Sequence, residues 1–392
     1  MNKKQRSVKN RKMLQLARKL KKRRLENSKD DVAEDRFPLL RLPILAIQNC
    51  IRILTVFQFL DFSLLSQRTK TIASSIRRDK IGINFCIDDE SRIHLIPRNL
   101  PNKEWLIEFE MNMKILKKLV PRKINGNTML STIRTNTITR ANGEKKTFHR
   151  IILPQDDIIE TMKWMTEHLC LVFRSPIQLM AIEHFFDPFI LFFKWLHTFQ
   201  QSIDCVHIDG TDISTKSLLF ILNNFQIKDE LDLYVELSDN SFEYTQPVNT
   251  HSLSIDLSQW NLKNILCSEN SLIALSNSSL TPEDINCLIK HWIGGWNKNL
   301  FYLEFVRTVK HPEVKDELFN IITKDIEWRE HSEDSGRPTH LPWGNGTMRP
   351  MYNGRHVEIE RSDGRLAAFA QVYQWTDGKW QHHFRFQAWD KK

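Results

Sequence analysis

Residues 37–78 read FPLLRLPILAIQNCIRILTVFQFLDFSLLSQRTKTIASSIRR, and this stretch organises the 392-residue chain. Leu42-Pro43 opens a dense apolar run. A proline at the first helical position has its φ already set and gives up no needed N–H. Ile44, Ile47, Ile51 and Leu54 then recur at helical spacing. Thr55 is suited to cap a second helix carrying Phe57, Leu60 and Leu64. Ser66 to Ile76 reads as a third helix, with Ile72 and Ile76 on one face and Arg68, Lys70, Arg77 and Arg78 on the other. Three short helices hold more Leu, Ile and Phe than so small a unit buries internally. Such a surplus marks either a partner site or the packing face of an ordinary helical subdomain.

The charge is unevenly placed. Residues 1–24 hold twelve Lys and Arg and no acid, so of 56 basic residues 44 remain against 47 acids, a balance of −3 for the rest of the chain. The net charge of +9 therefore describes a tail and is poor support for a nucleic-acid-binding domain. We expect residues 1–35 to be a solvated, disordered arm, with KLKKRR at 19–24 as the alternative nuclear-localisation or nucleic-acid patch. The start is too charged for a secretory signal. The apolar run 185–199 is broken by Asp187, Pro188, Lys194 and His197 and is too short to span a bilayer. Six scattered cysteines without a CxxC, and without a Cys at ligand spacing from a His, suit buried thiols in a reducing compartment, cytoplasmic or nuclear.

Beyond the helices, IGINFCID and RIHLIP read as short strands within 79–102, and residues 104–118 read as a helix. Residues 122–146, rich in Thr and Asn with two Asn-Gly pairs, read as hairpins or loops. Residues 156–173 read as a helix whose stripe is Ile158, Ile159, Met162, Met165 and Leu169. From Pro188 onward strand and helix signals alternate: helix 189–200, strand 205–209, helix 214–225, strand 231–237 and strand 271–275. Thr281-Pro282-Glu283-Asp284 supplies a cap, a proline and first-turn acids for a helix ending at Gly294-Gly295, before a strand 300–306. Units in series predict a leucine-rich-repeat-like αβ solenoid. At the C-terminus, Asp363-Gly364 and Asp377-Gly378 are hairpin turns separating runs 356–361, 366–375 and 380–389. Trp380, Phe384, Phe386 and Ala388 alternate with Gln381, His383, Arg385 and Gln387, the period of a half-buried strand. The fold class expected is α+β, ending in an antiparallel three-stranded meander.

Two stretches resemble one family. Phe-Pro-Leu-Leu-Arg-Leu-Pro at 37–43, the apolar helix after it and Leu-Ser-Gln-Arg-Thr-Lys at 65–70 resemble an F-box of the nematode-expanded type. LTPEDINCLIKHWIGGWNKNLFYLEFV at 280–306 resembles the type-two F-box-associated domain, and Arg361-Ser362-Asp363-Gly364 resembles that family's end segment. An F-box preceding this domain is the family's order. The resemblance implies an F-box over 36–80, a connecting region over 81–155 and an F-box-associated domain over 156–392. It also implies docking of a Skp-type adaptor, and through it a cullin ligase, by Phe37, Leu39, Leu42, Pro43, Ile47 and Ile51.

Catalytic signals are absent from the sequence. There is no GxxxxGK[ST], GxGxxG, HExxH or GxSxG. His382 and His383 fall on opposite sides of their strand, and His291 beside Trp292 reads as a packing residue. The expectation is a non-catalytic substrate adaptor of a ubiquitin ligase, without cofactor or metal, whose target contacts are not readable. The competing expectation is a nucleic-acid-associated or nuclear protein acting through its basic tail.

Overall fold

Side-chain caps explain why the N-terminal helices begin where they do. In the computed structural model Thr55 Oγ1 accepts from Gln58 N at 3.4 Å while Gln58 Oε1 accepts from Thr55 N at 3.0 Å. Ser66 and Thr69 exchange the same reciprocal pair at 3.2 and 2.9 Å. Caps of this kind contribute about 1 kcal/mol each. Pro43 stands at the N-cap, one residue earlier than its sequence position suggested.

The structure describes residues 39–76, 81–87, 91–97, 103–110, 120–124, 127–139, 145–154, 158–183, 189–277, 279–309, 315–330, 340–343, 347–350, 357–376 and 378–390. The basic tail over 1–35, Phe37, Arg77 and Arg78 lie outside the described residues. After a 3-10 turn at Leu39–Arg41, the chain runs α1 (Ile44–Arg52), α2 (Val56–Leu64), α3 (Gln67–Ser75), β1 (Ile81–Ile87), β2 (Arg92–Pro97), β3 (Lys103–Glu110), β4 (Val120–Ile124), β5 (Asn127–Thr139), β6 (Lys145–Pro154), α4 (Ile158–Phe173), β7 (Ile177–Ile182), α5 (Phe189–His197) and β8 (Ser202–Ile213). It continues α6 (Thr215–Asn224), β9 (Gln226–Leu237), β10 (Ser252–Asp256), α7 (Leu262–Leu266), β11 (Leu272–Ser276), α8 (Pro282–Ile293), β12 (Tyr302–Val309), α9 (Lys315–Ile322), β13 (Arg329–Glu330), β14 (His340–Trp343), β15 (Thr347–Pro350), β16 (Val357–Glu360), β17 (Leu366–Thr376) and β18 (Lys379–Trp389).

The chain divides into two units. The first comprises residues 1–80, 99–156 and 171–174. Its helices bury Ile47 and Ile51 of α1, Phe59 and Leu60 of α2, and Ile72 and Ala73 of α3. Phe173 meets Phe59 with ring centroids 5.7 Å apart. Arg68 Nη2 donates to the Leu40 carbonyl at 3.0 Å, tying α3 to the turn before α1. In the same unit β6 pairs in parallel with β3 and antiparallel with β5, which pairs antiparallel with β4. Of the hairpins or loops expected over 122–146, the antiparallel pairings are those of hairpins. The helix expected over 104–118 is corrected: residues 103–110 form β3, with 104–109 buried throughout and register-paired to β6. Burial of every residue overrides the local helix pattern, as tertiary context overrides propensity. Residues 111–118 lie outside the described residues.

The second unit comprises residues 81–98, 157–170 and 175–392. Six parallel strands, β7 to β12, lie side by side in sequence order. They begin at 177, 202, 226, 252, 272 and 302, so successive starts are 20 to 30 residues apart. Helices α5, α6, α7 and α8 fill four of the five connections. The fifth, 238–251, carries no helix; its Phe242 and Tyr244 rings pack 6.2 and 6.0 Å from Trp260. Val206, Ile208, Leu231, Leu233, Leu253 and Ile255 form the buried face that meets the helices. Phe192 of α5 contacts Phe85 of β1 at 5.3 Å, and Trp292 of α8 contacts Phe386 of β18 at 5.2 Å.

Buried carboxamides secure the strand entries. Gln200 receives Ile177 N at 3.0 Å and donates to the carbonyls of Ile177 and Ser202. Asn270 donates to the carbonyls of Val248 and Thr250, and Asn297 to that of Asn270. Each satisfies backbone groups that a turning chain strands away from water. At the far end β18 pairs antiparallel with β12 and β17, and β17 with β16, the meander expected from the sequence. Gly364 and Gly378 sit at φ +85° and +74°, the left-handed region their turns require. β18 is not half-buried as its alternation predicted. Flanked by two strands, it buries Gln387 and His383 as well as Phe384 and Phe386.

Candidate interaction surfaces

The N-terminal helices leave large apolar side chains in solvent. Leu45 is 71% and Ile53 84% exposed, with Ile44 and Leu65 also exposed. This surplus follows from the sequence, but its members differ from those expected. Ile47 and Ile51 are 1% and 0% exposed and serve the interior. Leu39 and Leu42 are half-buried and Pro43 is exposed.

Opposite the buried row, the second unit presents a more open, polar sheet face among the described residues. One register row crosses it through His207, Asp232, Ser254, Ala274, Glu304 and Arg385. The neighbouring rows add Glu230, Asp209 and Asp256, so carboxylates dominate the middle of the face. Tyr234 is exposed among them.

Two polar clusters stand on this face. In the first, His207 of β8 lies between two carboxylates of β9: Nε2 is 3.5 Å from Glu230 Oε2 and Nδ1 is 3.4 Å from Asp232 Oδ2. Burial would depress the imidazole, but Glu230 and Asp232 override it and hold His207 above its ordinary value. The His207 ring keeps Glu230 low, while burial pushes Asp232 up. Cys205, two residues before His207, is pushed up to about 12 by burial and then by the surrounding acids, so it stays a thiol. In the second cluster, Glu304 accepts from Arg385 Nε at 2.7 Å, from His383 Nδ1 at 3.2 Å and from the Tyr302 hydroxyl at 2.9 Å. Burial would raise its pKa. The His383 hydrogen bond and the Arg385 charge overcome burial and hold it at about 2.

His382 turns to the other side of its strand, as expected. Arg307 Nε can only donate, so His382 Nδ1 accepts from it at 3.3 Å and Nε2–H donates to Gln371 Oε1 at 3.0 Å. His291 Nδ1 lies 2.8 Å from the Cys287 carbonyl, which only accepts; the proton is therefore on Nδ1 and the ring is tied to its own helix. The Cys287 thiol is 3.4 Å from the same nitrogen. That corrects the expectation that no Cys stands at ligand spacing from a His: the pair is four residues apart on α8, a spacing present in the sequence. The His207 trio had no such signal, because its members meet only through strand register.

The comparisons with known proteins agree with the C-terminal part of this picture. Residues 241–305 match the family model described as F-box associated. The chain carries a segment similar to the F-box associated family. That segment covers β10, α7, β11 and α8 and the first half of β12, including Asn270, Asn297 and Trp292. The chain is also similar to the F-box associated domain-containing protein sdz-33 of Caenorhabditis elegans, with 21% identity over 334 residues, 81% of this chain and 95% of that protein. No solved structure matches. Among the described residues no helix is long and apolar enough to cross a membrane.

Proposed function

We propose that this chain is a non-catalytic substrate adaptor of a Skp–cullin–F-box ubiquitin ligase. In this reading residues 36–80 are the F-box, and the strand–helix units of β7 to β12 are a leucine-rich-repeat-like platform for a target. One observation carries the proposal: an F-box associated segment follows a three-helix segment that leaves Leu45 and Ile53 in solvent. Two apolar side chains of this size, once covered, contribute roughly 1.5–3 kcal/mol each. The expected contacts shift accordingly, from the buried Ile47 and Ile51 to Ile44, Leu45, Ile53 and Leu65 beside Leu42 and Pro43. The polar sheet face of the second unit serves the target, whose transfer is accelerated by raised local concentration near the ligase.

The test is co-purification of the full chain with a Skp-type adaptor on size-exclusion chromatography. An equimolar complex is expected, and the double variant Leu45→Asp/Ile53→Asp is expected to abolish it. Because both sites are exposed, the melting temperature of the free chain should stay unchanged. No complex with the unmodified chain, or one indifferent to both substitutions, refutes the adaptor reading.

A further inference from the structure

We propose that Lys298, Arg361 and Arg365 form a binding site for one phosphate monoester group. The site does not depend on the adaptor reading. These three cations line a cavity of about 490 Å³ together with Asp363, Gly364 and Asp390. All six residues belong to the second unit. Asp363 is already engaged by Arg361, through Nε and Nη2 at 2.9 and 2.6 Å. That leaves Asp390 as the remaining acid of the cavity among the described residues, and its side chain is 91% exposed. An ion pair so open to water binds weakly.

The cavity also holds donors that lack acceptors. Arg361 is 4% exposed, and its Nη1 is a buried atom without a hydrogen bond. Arg365 Nε is another. Its 3.4 Å approach to Asp390 Oδ1 is a contact of charges without the alignment of a hydrogen bond. Buried donors without acceptors are uncommon, and here two guanidinium groups of one cavity each keep one. Burial lowers the Arg365 guanidinium below its ordinary value against the pull of Asp390, and the like charge of Arg361 adds to the effect. An anion bound beside both groups would supply the missing acceptors and offset the repulsion.

The frame suits the role. Arg361 N donates to the Arg365 carbonyl and Gly364 N to the Arg361 carbonyl, both at 2.9 Å, which closes the turn between β16 and β17. Arg365 Nη1 donates to the Lys298 carbonyl and holds the loop before β12 against that turn. A methyl group at Gly364 would meet nothing within 4 Å, so space is open beside the turn. Two guanidinium forks and an ammonium suit a group with three charged oxygens. A carboxylate brings one charge, and the cavity already holds such a group in Asp390. A phosphate monoester carries about 1.5 to 2 negative charges at neutral pH, enough to displace Asp390 from Arg365.

The test uses the full chain in a calorimeter, titrated in chloride buffer with N-acetyl-phosphoserine amide, inorganic phosphate and N-acetyl-glutamate amide. One equivalent of the phosphoserine probe should bind saturably, about tenfold or more tighter than the glutamate probe. Phosphoserine above inorganic phosphate points to a phosphorylated side chain as the source, and the reverse order to a free phosphate compound; both support phosphate chemistry. Arg365→Gln and Lys298→Gln should each weaken binding by about tenfold. Asp390→Asn removes the competing acid and should tighten binding several-fold, a gain that misfolding cannot imitate. The proposal fails if the unmodified chain takes up no phosphate probe, or if the glutamate probe binds as well as phosphoserine. It fails equally if Arg365→Gln leaves binding intact, or if Asp390→Asn leaves it unchanged or weaker.

Discussion

The guanidinium of Arg361 lies over the indole of Trp292, 5.1 Å from the ring centroid. Trp292 belongs to the segment that matches the F-box associated family, and Arg361 lies beyond it, between β16 and the first turn of the meander. The contact joins helix and meander into one packed body, with Phe386 set edge-on against the same indole.

Arg361→Lys tests that joint. Arg361 is 4% exposed and grips Asp363 through Nε and Nη2 at 2.9 and 2.6 Å. Lysine keeps the charge but loses the planar fork. A cation over a desolvated indole contributes about 1–2 kcal/mol, so calorimetry should show a lower melting temperature with unchanged secondary structure. An unchanged melting temperature would show that the stacking contributes nothing.

Glu304 makes stability depend on acid. Its folded pKa of about 2 lies below the ordinary 4.5, so it stabilises the fold above pH 4.5, and that contribution is lost as pH falls through 2. The difference corresponds to roughly 3 kcal/mol at most. In urea titrations the stability gap between the unmodified chain and Glu304→Gln should close steadily between pH 4.5 and 2. A gap that does not change with pH rejects this account.

His382 acts in a separate window. Burial, then the charges of Arg307 and His383, depress it from 6.5 to about 4, so the neutral ring is the folded form. Its contribution is complete above pH 6.5 and disappears as pH drops to 4. NMR of the imidazole should show no titration between pH 7 and 5. A midpoint near 6.5 would contradict the buried Arg307–His382–Gln371 chain.

Asn270→Ala removes the donor shared by the carbonyls of Val248 and Thr250 and the Thr250 hydroxyl, which lie 2.8–2.9 Å from Nδ2. Leaving buried acceptors unpaired costs about 1–3 kcal/mol. Chemical denaturation should register that loss, and Asn270→Asp, which replaces the donor with an acceptor, should be worse than alanine. Equal stability of all three chains would show that water replaces the amide.

Features written locally were legible in the sequence. Thr55 and Thr281 cap the helices they precede, and Gly364 and Gly378 turn the hairpins, because each acts within four residues of itself. The same locality misled at 104–109: residues resembling a helix are a strand because β6, some forty residues later, supplies their partner. Ile47 and Ile51 fit the apolar stripe of α1, yet a stripe does not tell which of its members face inward and which face solvent. His207 and Asp232 are 25 positions apart and adjacent only through the β8–β9 register, which no local pattern encodes.

The antiparallel strands at the two ends of the parallel run have a consequence for colloidal behaviour. Seven strands stacked in one direction, β7 to β12 and β1 beside β7, leave a hydrogen-bonding rim at each end, a template on which a second molecule can polymerise. β18 occupies the rim of β12, and β2 occupies that of β1. Reversal of direction at β18 and β2 ends the repeat, so another parallel run no longer meets a matching rim. A chain ending before residue 357 would uncover β12 from Tyr302 to Val309, and concentration-dependent fibres are the expected outcome.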